Sequence, residues 1–131
     1  MSQENVEIVR AIVREWERGD FSASDWADPE IEFHSRTGPD EAIVHGVEAM
    51  AREMGKWLGA WDDFKTVAHE YIDLGDQVLV LVEFQGRGKT SGMPIEAMEG
   101  AALFSLRDGK VVRLGSYTDR SEARKAAGLS E

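Results

Sequence analysis

Three imidazoles, four indoles, a Gly-Lys-Thr run and scattered carboxylates are the groups in this chain that could do chemistry. Cysteine is absent, which removes disulfides, thiol catalysis and thiolate metal ligation together and suits a reducing compartment. His34, His45 and His69 could each carry a proton, since the reference pKa of imidazole is about 6.5. None stands at the two-histidine helical spacing of a metal site, so no metal is expected. Residues 86–92, GRGKTSG, hold Gly-Lys-Thr, but a phosphate loop needs a glycine where Glu83 stands. It also needs a helix next, where this chain predicts a strand. Asp119–Arg120–Ser121–Glu122 matches a capping box, with Asp119 capping a final helix and Glu122 reaching back. Glu83 interrupts the apolar run VLVLVEF, and strand alternation turns it away from Val82 and Phe84. Glu99 could face either way, because a bulge is expected near Gly100, so a pairing of Glu99 with Asp119 stays open. Trp16, Trp26, Trp57 and Trp61 could wall a flat ligand, and Tyr117 could offer a hydroxyl. Aromatic residues at helical spacing serve equally as plain core. Met50, Met54 and Met98 either fill gaps or line an adaptable pocket.

The elements that must position these groups follow from periodicity. Val6, Val9, Val13 and Trp16, with Ile12, recur at helical spacing, and Gly19 ends that helix. Its opposite face is Glu7, Arg10, Arg14, Glu15 and Arg18. A short helical turn is expected over residues 23–27, stopped by Pro29, before Ile31–Glu32–Phe33 alternates as a strand. From Gly46 a second amphipathic helix carries Val47, Met50, Met54, Trp57 and Trp61 on one stripe, widened by Leu58. The period then switches to strands over 64–72, 78–84, 93–106 and 111–118. A turn is expected at Leu74–Gly75–Asp76 and an Asp-Gly hairpin at Asp108–Gly109. Residues 120–127 form a last short helix before Gly128. Helices first and a strand meander after them predict an α+β fold, with helices on one face of a curved antiparallel sheet.

The runs ADPEIEF, HGVEAM, YIDLGDQVLVLVEFQGRGKTSG and FSLRDGKVVRLGSYTDRSEARKAAGL together resemble the SnoaL-like branch of the nuclear transport factor 2-like superfamily. The resemblance covers nearly the whole chain. It implies a cystatin-like, ketosteroid isomerase-like cone or barrel, in which a curved antiparallel sheet wraps a long helix around a deep apolar pocket. It also implies a homodimer paired through the sheet. Relatives of this kind include polyketide cyclases, ketosteroid isomerases, limonene-type epoxide hydrolases, dehydratases and non-catalytic binding domains, so the fold locates a site better than it names a reaction. Asp119 falls at the acid/base aspartate of SnoaL-like cyclases, where apolar surroundings would raise its pKa toward neutrality. The capping reading of the same residue stands beside this one. His34 falls where ketosteroid isomerases carry their proton-shuttling base; its alternative is a solvent-facing strand residue. A steroid isomerase is disfavoured, because Ile12 and Ala102 stand where its oxyanion donors, a Tyr and a protonated Asp, belong. Epoxide hydrolysis of the limonene type is disfavoured too. Val82 and Phe84 stand at its central Arg and partner Asp, leaving Asp119 alone.

Composition bounds the rest. The chain has 131 residues, 42% hydrophobic and 31% charged, the balance of a single domain over 1–131. Asp and Glu total 25 against 15 Lys and Arg, a net charge of −10 that repels nucleic acid and acidic membranes alike. No apolar run reaches the roughly 20 residues of a membrane span. No secretory signal pattern opens the sequence, so a cytoplasmic location is expected. Apolar residues on both parities of the central strand, Val78, Val80 and Val82 against Leu79 and Leu81, call for cover on two faces and favour a homodimer. The expected function is a cofactor-independent isomerase, cyclase or hydrolase acting on a small apolar or cyclic metabolite. Asp119 and His34 would be catalytic, and Trp16, Phe33, Trp57, Trp61 and Tyr117 would be pocket walls. The alternative is a non-catalytic ligand-binding or accessory domain.

Overall fold

The computed structural model describes residues 2–36, 41–89 and 94–129. In chain order the elements are α1 (Ser2–Glu17), β1 (Ala27–Arg36), β2 (Ala42–His45), α2 (Val47–Leu58), β3 (Trp61–Asp73), β4 (Gln77–Gly88), β5 (Pro94–Arg107), β6 (Lys110–Tyr117) and α3 (Arg120–Ala126). Met93, the expected start of the fifth strand, and Thr90 of the Gly-Lys-Thr run lie outside the described residues.

The six strands form one open sheet in the order β2-β1-β6-β5-β4-β3. Most neighbours are antiparallel, as the short turns require. The Asp108–Gly109 hairpin is present, with positive φ of 52° and 80° at its two turn residues. One pair departs from the antiparallel expectation: β1 lies parallel to β6, with Phe33 opposite Leu114 and Ser35 opposite Ser116. Parallel neighbours need a long connection, and here the whole run from β2 to β5 supplies it.

The concave face carries the main core. Val9, Ile12, Val13 and Trp16 of α1 pack on Ile31, Phe33, Val78, Val80, Val82, Phe84, Phe104 and Leu114. Full burial of a side chain such as Phe104 contributes about 1.5–3 kcal/mol. Met50 is the buried point of α2, with Val47, Met54, Trp57 and Leu58 partly buried beside it. The convex face carries the other parity. Leu79, Leu81, Ala101, Leu103 and Tyr117 are buried there under Ala123 of α3, with Ala127 and Leu129 alongside. The cover anticipated from a second subunit is thus supplied largely by the chain's own tail.

Four local expectations are corrected. Residues 25–26 make a single turn, and Pro29 lies within β1, at a register shift between Ala27 and Glu32. That is a place where a missing N–H is tolerated. Trp61 opens β3 and does not continue α2, which ends at Gly59 after a glycine-weakened last turn containing Gly55. The bulge expected near Gly100 lies earlier in β5, between Ile95 and Met98, and Gly100 itself sits in regular register opposite Val82. Its reason is space: a Cβ there would lie 2.3 Å from the Phe84 ring and 2.7 Å from the Tyr117 carbonyl oxygen. The shifts fall elsewhere, one of them at His69 in β3. Glu99, opposite Glu83, shares its outward face, because cross-strand partners point to the same side.

Candidate ligand cavity

Strand alternation builds the concave cavity. Phe33 and Ser35 on β1, Phe64 and Thr66 on β3, Val82 and Phe84 on β4, and Leu114 and Ser116 on β6 each turn two residues of one parity toward it. Trp16 enters from α1, Phe21 from the following loop, and Glu53, Met54 and Trp57 from α2. The rings hold one another in place: Phe64 stacks on Phe84 at 5.7 Å, and Trp57 meets both edge-on at 5.8 and 6.0 Å. The free space is about 50 Å³. That admits a small group, but it is well short of the ~150 Å³ cavity that accepts benzene. The polar lining is short: the hydroxyls of Ser35, Thr66 and Ser116 and the carboxylate of Glu53. Thr66 is buried, and the Glu53 side chain is 18% exposed.

Of the wall residues expected from sequence, Trp16, Phe33 and Trp57 line this cavity. Trp61 stacks obliquely on Trp57 at 5.5 Å and lines a separate outer cleft with Arg18, Asp20 and Lys65. Tyr117 and His34 lie on the convex side. They share a groove of about 190 Å³ with Gln77, Ser105 and Arg113. The His34 ring sits edge-on to Tyr117 at 5.9 Å, and its Nε2 pairs with the Glu41 carboxylate. Burial pushes the Tyr117 phenol above its ordinary value, partly offset by Arg113 and Arg36. Asp119 is exposed and borders neither space. Its Oδ1 accepts from the backbone N–H of Ser121 at 2.8 Å and of Glu122 at 3.4 Å, the geometry of an N-cap. The Glu122 carboxylate pairs with Arg36 at 2.5 Å, so half of the capping box serves to tie α3 to β1. His34, Tyr117 and Asp119 are therefore not brought together with the aromatic wall.

Glu53, Ser35, Thr66 and Ser116 were not singled out from sequence, though the signal was there. Glu53 is three residues after Met50 and four before Trp57, on the same helical face. Each hydroxyl stands two residues beyond an inward apolar residue. Among the described residues no three His, Asp or Glu side chains cluster as a metal site. Nor, among the described residues, is any helix long and apolar enough to cross a membrane.

With this geometry in view, the likeness to known proteins is consistent from end to end. The SnoaL-like domain family matches residues 9–114, and the chain belongs to it. No curated protein sequence matches the chain. Among solved structures, a protein from Jannaschia sp. CCS1 named for SnoaL-like polyketide cyclases superposes with a TM-score of 0.76 at 20% identity, covering 98% of this chain and 94% of its own. An NTF2-like protein from Burkholderia thailandensis E264 gives 0.76 at 23% identity, over 92% and 95% of the two chains. TerC, co-crystallised with polyporic acid, gives 0.75 at 16% identity over 95% and 98%. At these identities the likeness is one of fold.

Proposed function

We propose that this SnoaL-like chain binds a small, largely apolar molecule in the concave cavity, and that binding rather than Asp119–His34 chemistry is its primary capacity. The observation that carries the reading is the lining: aromatic rings from two helices, one loop and three strands converge on one space, while His34 and Asp119 stand outside it. The polyporic acid bound by TerC, a relative in fold, is in keeping with a site for small organic ligands. Acid–base turnover is the second reading, and Glu53 favours it as the cavity's carboxylate. A cytoplasmic location belongs to the same proposal, resting on the cysteine-free composition. So does a homodimer, which would use the polar strip around His69, Glu83 and Glu99, since α3 covers the apolar part of that face.

A thermal-shift panel of small alcohols, ketones and amines tests the reading. Any compound that raises the midpoint of the wild type should lose that effect in Ala102→Val, which adds bulk at the cavity wall. It should keep the effect in His34→Gln and Asp119→Asn. The reverse pattern would place the ligand on the convex side. Turnover of a bound compound that vanishes in Glu53→Gln would establish the enzymatic reading.

A further inference from the structure

Strand register builds a second space on the convex face. Gln77 of β4 stands opposite Ser105 of β5, Ser105 opposite Arg113 of β6, and Gly115 of β6 opposite both Leu103 and His34. Cross-strand partners point to one side, so these positions and Tyr117 line one groove. Its volume of about 190 Å³ exceeds the ~150 Å³ of a cavity that accepts benzene. Gly115 makes room for the phenol: a Cβ there would stand 2.8 Å from the Tyr117 ring and 3.0 Å from its hydroxyl oxygen. That oxygen therefore lies at the groove wall, in a residue only 5% exposed, and makes no hydrogen bond among the described residues. Burying a hydroxyl without a partner is costly, and an acceptor in the groove would relieve the cost. Burial also keeps the phenol protonated, and so a donor.

The neighbouring groups are donors as well. Arg113 meets Glu32 through Nε at 2.9 Å, and neither of its Nη atoms is hydrogen-bonded among the described residues. The Ser105 Oγ accepts from Gln77 Nε2 at 3.1 Å, which leaves its own proton to donate. His34 is committed to Glu41 through Nε2. No described residue of the lining is acidic, whereas the concave cavity holds Glu53 and the outer cleft Asp20 and Asp63. A guanidinium offers two parallel N–H donors to a carboxylate, and Leu103 and Ala126 supply carbon beside it. The net charge of −10 repels anions at long range, but 0.1 M salt screens it beyond about 10 Å, leaving the groove's own groups to decide.

We propose that the convex groove is a second ligand site, separate from the concave cavity, which takes a compact organic carboxylate, with the Arg113 Nη atoms and the Tyr117 hydroxyl on the carboxylate and the carbon part against Leu103 and Ala126.

The test titrates the full chain with benzoate and with benzamide, a neutral compound of nearly the same shape, by calorimetry and by ¹⁵N signals. Benzoate is expected to bind at least tenfold more tightly, a difference of about 1.4 kcal/mol. It should move the backbone signals of Gly115 and Tyr117 and leave the Trp16 and Trp57 indoles in place. Arg113→Gln, at a side chain 57% exposed, should remove the preference for benzoate. Tyr117→Phe, which keeps the ring, should weaken benzoate at least threefold. Equal affinity for the two compounds, or benzoate affinity untouched by Arg113→Gln, would overturn the carboxylate and its partner. Inorganic phosphate bound as tightly as benzoate would overturn the organic class. No benzoate binding, or shifts confined to the Trp16 and Trp57 indoles, would overturn the groove as a site. The concave reading is tested apart from this one, since the alcohols, ketones and amines that probe it carry no carboxylate. Should either variant fold poorly, the wild-type comparison and its signal map still decide.

Discussion

At the scale of single residues, Asp119 is where the sequence superposes two roles, cap and acid/base. Its carboxylate accepts from two backbone N–H groups, the geometry of a cap. Asp119→Asn should fold as well as the wild type in denaturant titrations, while Asp119→Ala should lose roughly 0.5–2 kcal/mol. A large loss in the Asn variant would mean that the charge matters beyond capping. Tyr117 makes a prediction about pH. Burial raises the pKa of its phenol in the folded state, so above about pH 10 the unfolded chain releases a proton that the folded chain retains. Stability therefore falls as pH rises through that range, and Tyr71, raised for the same reason, adds to the fall. Tyr117→Phe should flatten the decline in thermal midpoint between pH 9 and 11; an unchanged slope would contradict the assignment. Glu53 shows why part of the site was hard to read. A charged residue amid Met50, Met54 and Trp57 reads as helix surface unless the helix face is followed turn by turn.

At the scale of elements, the bulge in β3 is the informative feature. Ala68 and Val82 are register partners, yet the Ala68 N–H donates to Glu17 of α1 at 3.0 Å. The Val82 carbonyl accepts from Arg120 of α3 at 2.7 Å, and the Arg120 Nε reaches the Gly100 carbonyl at 3.0 Å, beside the end of β6. Two helices thus satisfy the strand groups around the irregularity, one from each face of the sheet. Removing either partner leaves a part-buried backbone group without its bond, at a cost of about 1–3 kcal/mol. Glu17→Ala and Arg120→Ala should each show that loss in urea midpoints, and a change within experimental error would contradict the clasp. None of this was legible in the sequence, because a bulge has no periodic signature and the partners lie 51 and 38 residues away along the chain. What was legible is what periodicity carries: both helix stripes, both parities of β4, the Asp-Gly hairpin and the short final helix. The stripe through Trp61 overran because a four-residue step looks alike in a helix and across a helix end.

At the scale of the whole molecule, α3 and the tail beyond it decide what the convex face is. Leu79, Leu81 and Leu103 are buried by this segment, and Ile43 on the edge strand β2 is the one strongly exposed large hydrophobic side chain among the described residues. A chain ending at Thr118 should expose an apolar patch, bind a hydrophobic dye and form larger species in sedimentation runs than the full chain does. A truncated chain that sediments as the full chain does and stays dye-free would contradict the covering role. The concave face is where the ligand reading stands, and the four tryptophans sample it unequally. Trp16 and Trp57 line the cavity, while the Trp26 Nε1 is held by the Ala23 carbonyl at 3.0 Å, outside the lining. The indole N–H signals of ¹⁵N-labelled protein therefore read the site directly during titration with a small compound that raises the thermal midpoint of the wild type. The account predicts that the Trp16 and Trp57 signals move with that compound, while Trp26 and the backbone signals of His34 and Asp119 stay in place. Shifts confined to His34, Tyr117 or Asp119, or none at any indole, would contradict it.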